Sequence, residues 1–562
     1  MKDNLSLVWY RFKYAILAAG LLLPALGGFL LSRAPVDTGG PAAGTDRISG
    51  ELQVLTEQES GLVKCFTSNP RYNEDRKTCL AGLGGAWPVA VGAQGLLLPD
   101  GSWFTAEKKS PSSIPGDLGV VLSFAEGDLD NDGFPETLIA REGNSKFPFQ
   151  VYSKTRGGDL TDTTERRLGQ IAAPVRAADI ALVDINRDGW LDIITRTERV
   201  GIKASVKLYN NRGWQEPGTF DEVENPWAKK ITEALGAIPP GSVGLGVTAL
   251  RVVDMDRDGY QDMLAVSYNG VLVVLWGKDG GFEEAYTTLP VPVGVVDLEV
   301  GDINRDDRND VLLGVDVRSS GGLTDGVCPF NRPCDRGRGL STGGVLTLLG
   351  ENRREFAAEQ RYHIDGVDYL TSLELVDIDS DGWEEIFLGR ETPIGDPEAL
   401  QSDGLLLYSP AVSADGPTGF DRIDVGRDIP AVRYIGSSDI DNDADLDIIL
   451  SGRTEKGLLY WENRSEQMQS LRIQVSGSAT LDRVGSNPVG IGALVEVVYG
   501  TRTIRREIGG GGRGENQTSA MVIGLGTGPS TVDKVTVYFP ATNTKMERVA
   551  VPVGTELVLV EP

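Results

Sequence analysis

Six copies of a nine-residue acidic loop carry the side chains whose types and spacing suit metal chemistry in this chain of 562 residues. Asp, Asn or Glu stands at positions 1, 3, 5 and 9 of every copy, and the residue at position 7 offers a backbone carbonyl. Calcium prefers six to eight oxygen ligands of this kind. In chain order the copies, loop 1 to loop 6, are residues 128–136, 184–192, 254–262, 302–310, 377–385 and 439–447.

These loops predict up to six bound Ca²⁺ ions with a structural role. The alternative is that they are only acidic hairpin turns, but clustered carboxylates repel one another unless a cation lies between them. The predicted ligands, with position 7 contributing its carbonyl, are Asp128, Asp130, Asp132, Phe134, Glu136, Asp184, Asn186, Asp188, Trp190, Asp192, Asp254, Asp256, Asp258, Tyr260, Asp262, Asp302, Asn304, Asp306, Arg308, Asp310, Asp377, Asp379, Asp381, Trp383, Glu385, Asp439, Asp441, Asp443, Asp445 and Asp447.

The loops differ from EF-hands, which need a bidentate Glu at position 12 and an exiting helix. Position 12 is never acidic here, and each loop runs into a short apolar stretch typical of a strand. Position 2 is always apolar, so we expect it to be buried beneath the loop. Position 6 is Gly in four copies, as a left-handed turn favours; Asp307 tolerates that conformation and Ala444 tolerates it poorly, which makes loop 6 the weakest in geometry.

The elements around each loop form a repeat of about sixty residues. An apolar strand precedes the loop, another follows it, a third comes roughly 20 to 40 residues later, and several repeats continue to a Phe, such as Phe282 or Phe420, that would open a fourth strand. Four antiparallel strands per repeat predict a propeller blade. Residues 96–104 resemble a blade hairpin without its acidic loop, so seven blades are expected, with six or eight as alternatives. An insertion at residues 225–236 has the N-cap and terminal Gly of a short helix.

The composition argues against nucleic-acid binding. The formal net charge is −27, and 22 of the 81 Asp and Glu side chains stand at loop ligand positions. Six Ca²⁺ ions would reduce that charge to about −15, which still repels phosphate backbones. The 71 glycines fit a turn-rich β protein.

Residues 1–35 predict export. The uncharged stretch 14–31 follows Lys2, Arg11 and Lys13 and is about 27 Å long as a helix, just enough to cross a membrane. A cleavable signal peptide ending near Gly27 is the alternative to an uncleaved anchor. We favour the anchor, because the apolar stretch resumes at residues 29–31. Either interpretation places the bulk of the chain in the periplasm or outside the cell, and cleavage would make the protein secreted.

The four cysteines form two local pairs, Cys65 with Cys79 and Cys328 with Cys334, and an exported chain favours two disulfides. The first pair is expected to staple a small, partly helical segment within a linker, residues 36–85. The second closes an insertion in the fourth blade region.

The loops and their flanking strands resemble FG-GAP/VCBS repeats, the units of integrin-α-type propellers. After residue 466 a different β pattern begins. Its signals at residues 486–493, 523–526 and 537–541 resemble the ASPIC/UnbV domain, and the whole arrangement is similar to the cartilage acidic protein family and its bacterial relatives. Two features depart from that family: residues 509–514 are a glycine-rich run instead of the expected Gly-Ser-Ser-Tyr stretch, and an EGF-like cysteine array is missing. The expected fold is all-β: a calcium-loop propeller, residues 86–466, then a small β-sandwich-like domain, residues 467–562.

Three functions are compatible with this architecture. The favoured one is a membrane-tethered interaction scaffold with a protein or glycan partner on the propeller faces, and an accessory subunit of a larger assembly is one form that it could take. A propeller-based carbohydrate lyase or hydrolase is an alternative, and a passive stalk or surface-layer component is another. We expect no enzyme activity and assign no catalytic residue, because the single histidine, His363, lies near Tyr362 and Asp365 without a nucleophile elbow or zinc-ligand spacing.

Overall fold

The computed structural model describes most of the chain from residue 50 onwards. The described residues are 50–58, 61–65, 90–92, 95–97, 103–104, 121–141, 146–154, 160–169, 171, 176–198, 206–223, 247–267, 270–292, 294–316, 343–358, 362–391, 404–413, 416–423, 432, 434–438, 446–451, 458–463, 469–510, 520–528 and 530–562. The predicted N-terminal helix, the short helix at 225–236, Cys79, Cys328 and Cys334 lie outside them. Within this part of the chain, no helix has the length and apolar character needed to cross a membrane.

Seven antiparallel sheets follow one another along the chain after two early strands, β1 (Gly50–Gln58) and β2 (Gly61–Cys65). Blades 1 to 3 contain β3 (Ala90–Gly92), β4 (Gly95–Leu97), β5 (Trp103–Phe104); β6 (Val121–Gly127), β7 (Glu136–Arg141), β8 (Gln150–Lys154), β9 (Leu160–Asp162), followed by helix α1 (Thr164–Leu168); and β10 (Arg176–Val183), β11 (Asp192–Glu198), β12 (Val206–Asn211), a 3₁₀ turn (Gly213–Gln215), β13 (Phe220–Val223).

Blades 4 to 7 repeat the same order. They contain β14 (Val247–Val253), β15 (Asp262–Ser267), β16 (Val271–Lys278), β17 (Gly281–Pro290); β18 (Val295–Gly301), β19 (Asp310–Val315), β20 (Gly344–Asn352), β21 (Glu355–Ala358), β22 (Ile364–Asp365); β23 (Leu370–Val376), β24 (Glu385–Arg390), β25 (Leu405–Ser413), β26 (Gly416–Ile423); and β27 (Tyr434–Ser438), β28 (Asp447–Ser451), β29 (Leu458–Asn463). Loops 1 to 6 connect the first two strands of blades 2 to 7. Phe282 lies in β17 and Phe420 in β26, which confirms the predicted fourth strands of blades 4 and 6.

The sheets close into a ring of seven blades, as the sequence predicts. The first strand of each blade contacts the first strand of the next, and β27 contacts β3 to complete the circuit. Apolar side chains fill the spaces between neighbours: separate buried clusters join blades 3 and 4, 4 and 5, 5 and 6, and 6 and 7. Blades 3 to 6 therefore bury both faces against their neighbours, as propeller packing requires.

The predicted boundary of the propeller at residue 86 needs a correction. Strand β1 pairs antiparallel with β29 in blade 7, with Val54 opposite Leu459, and β2 pairs with β1. These strands lie in the range that was assigned to a linker and a disulfide-stapled segment. Pairing of this kind covers the edge of β29, whose backbone groups would otherwise lack partners. The first and last parts of the ring are therefore joined in one sheet.

The C-terminal domain is a two-sheet β structure, as predicted. Its strands are β30 (Gln469–Ser476), β31 (Leu494–Tyr499), β32 (Arg502–Glu507), β33 (Ala520–Gly526), β34 (Thr531–Phe539), β35 (Thr544–Pro552) and β36 (Glu556–Val560). One sheet has the order β33-β30-β36, with β30 and β36 parallel, and the other has the order β32-β31-β34-β35. Its core continues into blades 2 and 3 as one buried apolar cluster, so the domain is packed against the ring.

Candidate metal centres

The five loops that the structure describes in full, loops 1 to 5, share one backbone conformation. Position 6 has a positive φ in all of them, between 70° and 88°, and Asp307 adopts it at 70° as expected. Position 4 also has a positive φ, between 53° and 58°, although it is never Gly: the residues are Asn131, Arg187, Arg257, Arg305 and Ser380. The second left-handed residue was missed from the sequence, because Arg and Ser do not signal that conformation.

The position 1 carboxylate organises each turn. In loop 2, Asp184 accepts hydrogen bonds from the backbone N–H groups of Asp188 at 3.0 Å and Gly189 at 2.9 Å. Loops 1, 3 and 4 repeat both bonds, and loop 5 repeats the second. The apolar residue at position 2 is buried in all five loops, which confirms that prediction.

The position 9 carboxylate ties the loop to the third strand of its blade. One oxygen accepts the N–H of position 2, at 2.8 to 3.3 Å in the five loops. The other oxygen in loops 2 to 6 accepts from Asn211 N, Gly277 N, Gly350 N, Ser409 Oγ and Asn463 N, at 2.6 to 3.1 Å. Two of these donors are glycines for a steric reason, since a Cβ on Gly277 would lie 2.4 Å from the carbonyl oxygen of Gln261.

Three loops bring carboxylates from positions 1, 3 and 9 together. One oxygen from each of the three residues lies within 4.8 Å of the others in these clusters: Asp128, Asp130 and Glu136; Asp254, Asp256 and Asp262; and Asp377, Asp379 and Glu385. In loops 2 and 4, Asn186 and Asn304 take position 3. These are acidic clusters that could hold a metal ion.

The predicted ligand at position 5 also takes part in the hydrogen bonding of the turn. The position 5 carboxylate accepts the N–H of position 7 at 2.7 to 3.0 Å in all five loops and is outside the three clusters. Asp439, Asp441, Asp443 and Asp445 lie outside the described residues. Metal ligation by each of the predicted residues stays a prediction.

Hard-cation chemistry fits the clusters. All donors are oxygens, and the buried Asp130 Oδ1 and Asp377 Oδ1 have no hydrogen-bond partner among the described residues. Burial, together with neighbouring carboxylates, raises the pKa of Asp128 and Asp254 to about 7 and that of Asp262 to about 8. A divalent cation would offset the cost of burying these negative charges.

Side chains at position 4 link consecutive loops, a feature that was missed from the sequence. The Arg187 guanidinium lies 3.4 Å from the ring centroid of Tyr260, at position 7 of loop 3, and Arg305 lies 3.5 Å from that of Trp383 in loop 5. Asn131 Nδ2 donates to the carbonyl of Gly189 in loop 2 at 3.1 Å. The signal available in the sequence was the Arg at position 4 of loops 2 and 4, each with an aromatic residue at position 7 of the next loop.

The loops also face the C-terminal domain. Glu507 accepts hydrogen bonds from Asp254 N and Gln261 Nε2, both at 2.8 Å. Gly526 N donates to the carbonyl of Ser380 at 2.9 Å, and Arg506 pairs with Glu384 at 3.0 Å. Loops 3 and 5 thus contribute to the surface on which this domain lies.

Acidic side chains on the innermost strands link neighbouring blades. The buried Arg251 guanidinium in β14 contacts Glu299 at 2.5 Å and Asp297 at 3.4 Å, both in β18. Ser437 Oγ in β27 donates to Glu374 in β23 at 2.9 Å. These pairings between blades explain why the acidic side chains Asp297, Glu299 and Glu374 are buried.

The remaining motif residues make local contacts in the described part of the chain. His363 Nε2 lies 3.1 Å from Asp365 Oδ2. In the C-terminal domain the motif residue Ser486 is fully buried, and its N–H and Oγ donate to Glu561 at 2.7 and 2.9 Å. The next residue, Asn487, exchanges hydrogen bonds with the backbone of Ile491.

Comparisons with known proteins agree with this description. Residues 128–195 and 254–313 match the family model of the FG-GAP-like repeat, and residues 483–562 match that of ASPIC and UnbV. No curated protein matches the chain.

The chain also has distant likenesses to solved structures. The periplasmic gluconolactonase PpgL of Pseudomonas aeruginosa has 13% identity and a TM-score of 0.36 over 74% of this chain and 96% of its own. The V. cholerae biofilm matrix protein Bap1 has 12% identity and a TM-score of 0.32 over 79% of this chain and 61% of its own. BBS1N, in complex with ARL6DN, has 9% identity and a TM-score of 0.32 over 58% of this chain and 73% of its own. At these scores the likenesses carry no argument about function. From the family matches and its ring of seven sheets, the chain is a propeller protein with FG-GAP-like repeats and a C-terminal ASPIC/UnbV domain.

Proposed function

We propose that this protein is an exported, membrane-tethered scaffold whose blade hairpins bind calcium. The observation that carries the calcium assignment is the grouping of carboxylates from positions 1, 3 and 9 within 4.8 Å in loops 1, 3 and 5. Calcium is a hard cation that takes several carboxylate ligands, and extracellular concentrations fill sites of modest affinity.

The calcium has a structural role in this proposal. In loops 3 and 5 the cluster joins the hairpin to the third strand of its blade through position 9, and both loops also contact the C-terminal domain. A bound ion would therefore stabilise a blade and the surface beside it. A protein or glycan partner would then bind to the loops on the faces of the ring, and the proposal assigns no reaction to the protein.

Calcium counting tests the metal assignment. We expect native mass spectrometry of the full chain to show several bound Ca²⁺ ions, and a chelator to lower the melting temperature by many degrees, because an ion that binds only the folded state stabilises it. The double variant Asp377→Asn and Asp379→Asn should bind one ion fewer. The exposed Asp482→Asn is the matched control and should bind the wild-type number. A wild-type protein that binds no calcium, with the same melt in chelator, would refute this assignment.

Localisation and partners need a separate experiment. We expect the protein in the membrane fraction, accessible to protease only from the outer side, with a stoichiometric protein or glycan recovered after cross-linking in native membranes. Recovery of no partner, together with turnover of a polysaccharide, would favour a carbohydrate-active enzyme instead.

A further inference from the structure

A buried arginine from outside loop 1 contacts two of the candidate ligands of this loop. Arg167 of helix α1 is 1% exposed, and its Nη2 lies 2.7 Å from Asp130 Oδ2 and 2.6 Å from Glu136 Oε1. The rest of the guanidinium is also held: Nε donates to Ser153 and Thr163, and Nη1 donates to the carbonyl of Gly218 at 3.1 Å. A buried guanidinium with this many partners is a fixed positive charge at positions 3 and 9 of the loop.

Loop 3 has an arginine at the corresponding carboxylate, although it comes from a different element. Arg354, in the turn between β20 and β21, lies 2.6 Å from Asp256 Oδ2 and 3.4 Å from Asp258 Oδ2. Its guanidinium also packs over the Trp276 ring at 4.9 Å and pairs through Nη1 with Glu283 of β17 at 3.0 Å, so blade 5 supplies this charge to blade 4. Asp256 and Asp130 both stand at position 3.

Loops 2 and 4 need no such arginine, because position 3 is uncharged in them. Loops 1 and 3 have four ligand carboxylates each, and loops 2 and 4 have three each with Asn186 and Asn304 at position 3. Subtracting one charge for Arg167 or Arg354 leaves three net negative charges in loops 1 and 3, equal to the carboxylates of loops 2 and 4. Arg308 of loop 4 contacts the position 5 carboxylate, Asp306, at the surface.

We propose that Arg167 and Arg354 are internal counter-charges that stabilise loops 1 and 3 without an ion and lower the affinity of these loops for calcium. The inference rests on the proposed function, since it assumes that the loops bind calcium. A guanidinium and a divalent ion that share a carboxylate repel each other. The low dielectric around the buried Arg167 strengthens this repulsion, and the side chain of Arg354, which is 32% exposed, repels the ion less strongly. The same guanidinium removes the repulsion between carboxylates when the ion is absent.

The test replaces each arginine by methionine in the full chain and titrates calcium at neutral pH. We expect Arg354→Met to bind one ion roughly tenfold more tightly, a difference of about 1.4 kcal/mol, by calorimetry and by native mass spectrometry at graded free calcium. In chelator the same variant should melt at a lower temperature than the wild type. Arg167→Met should shift both quantities in the same directions at loop 1, and Arg354→Met carries the test alone if the buried Arg167 variant does not fold.

Two controls separate the outcomes. Arg212→Met also removes one positive charge, but Arg212 pairs with Asp221 and Glu216 at the surface and should leave the titration unchanged. Asn186→Asp adds a fourth carboxylate to loop 2 and should tighten one site. Wild-type calcium binding with an unchanged or weakened titration in Arg354→Met would overturn this inference and leave the proposed function intact. A wild type that binds no calcium would refute both.

Discussion

The backbone N–H of Asp254 donates a hydrogen bond to Glu507 Oε2 at 2.8 Å, which joins the first residue of an acidic loop to the C-terminal domain. The second carboxylate oxygen of Glu507 accepts from Gln261 of the same loop, also at 2.8 Å. One side chain of the C-terminal domain thus satisfies two donors of a candidate metal loop.

Replacing Glu507 should weaken the contact between the domain and the ring. We expect Glu507→Ala to lower the free energy of unfolding by about 1–3 kcal/mol, because the partly buried N–H of Asp254 and the amide of Gln261 lose their acceptor. Denaturant unfolding measures the change. Glu547→Ala removes an exposed carboxylate paired with Lys545, and should leave the free energy of unfolding nearly unchanged. Equal effects of the two variants would contradict the assignment.

The stability of the chelated protein should fall as the pH rises. Burial raises the pKa of Asp302 to about 6, of Asp128, Asp184 and Asp254 to about 7, and of Asp262 to about 8. A group whose pKa is raised by folding contributes its full stability below the unfolded pKa near 4 and loses it as the pH rises through the folded value. We therefore expect the melting temperature in chelator to fall between pH 5 and pH 8.

Calcium should reverse part of that trend, because the ion needs the ionised carboxylates and protons compete with it. The difference in melting temperature between calcium and chelator should widen from pH 5 to pH 8. A constant difference over this range would mean that these carboxylates do not bind the ion.

The contact between Arg187 and Tyr260 should contribute measurably to stability. A cation–π pair of this geometry is worth about 0.5–2 kcal/mol, depending on how much water it excludes. A double-mutant cycle with Arg187→Leu and Tyr260→Leu, read out as the free energy of unfolding, should give a coupling in that range. Strictly additive single variants would show that loops 2 and 3 are not linked by this pair.

Glu561 should stabilise the C-terminal domain. Its carboxylate accepts from the N–H and Oγ of Ser478 at 2.9 and 2.6 Å, from both groups of Ser486, and from Thr542. Glu561→Gln should lower the free energy of unfolding by about 1–3 kcal/mol, since a neutral amide accepts less strongly and brings an N–H group among donors. Glu556→Gln is the matched control, because the side chain of Glu556 is 53% exposed and should contribute little. A Glu561→Gln variant as stable as this control would contradict the role.

The repeated pattern was enough to predict most of the fold. The period of the acidic loops and their apolar flanks predicted four-stranded blades, because both signals lie within a few residues of each other along the chain. The hairpin at residues 96–104 correctly predicted the seventh blade. The grouping of positions 1, 3 and 9 in loops 1, 3 and 5 and the burial of position 2 could also be predicted, because a nine-residue turn determines both locally.

Contacts between distant segments were decided only by the tertiary structure. Strand β1 joins blade 7, Arg167 and Arg354 reach the position 3 carboxylates, and Glu507 contacts loop 3 from a different domain. None of these partners is at a fixed spacing from the loop that it contacts. The sequence by itself determined the loops, the strands and the repeat, because those depend on neighbours along the chain. The packing of the blades and of the C-terminal domain decided which charged side chains are in contact, because those contacts join segments that are distant along the chain.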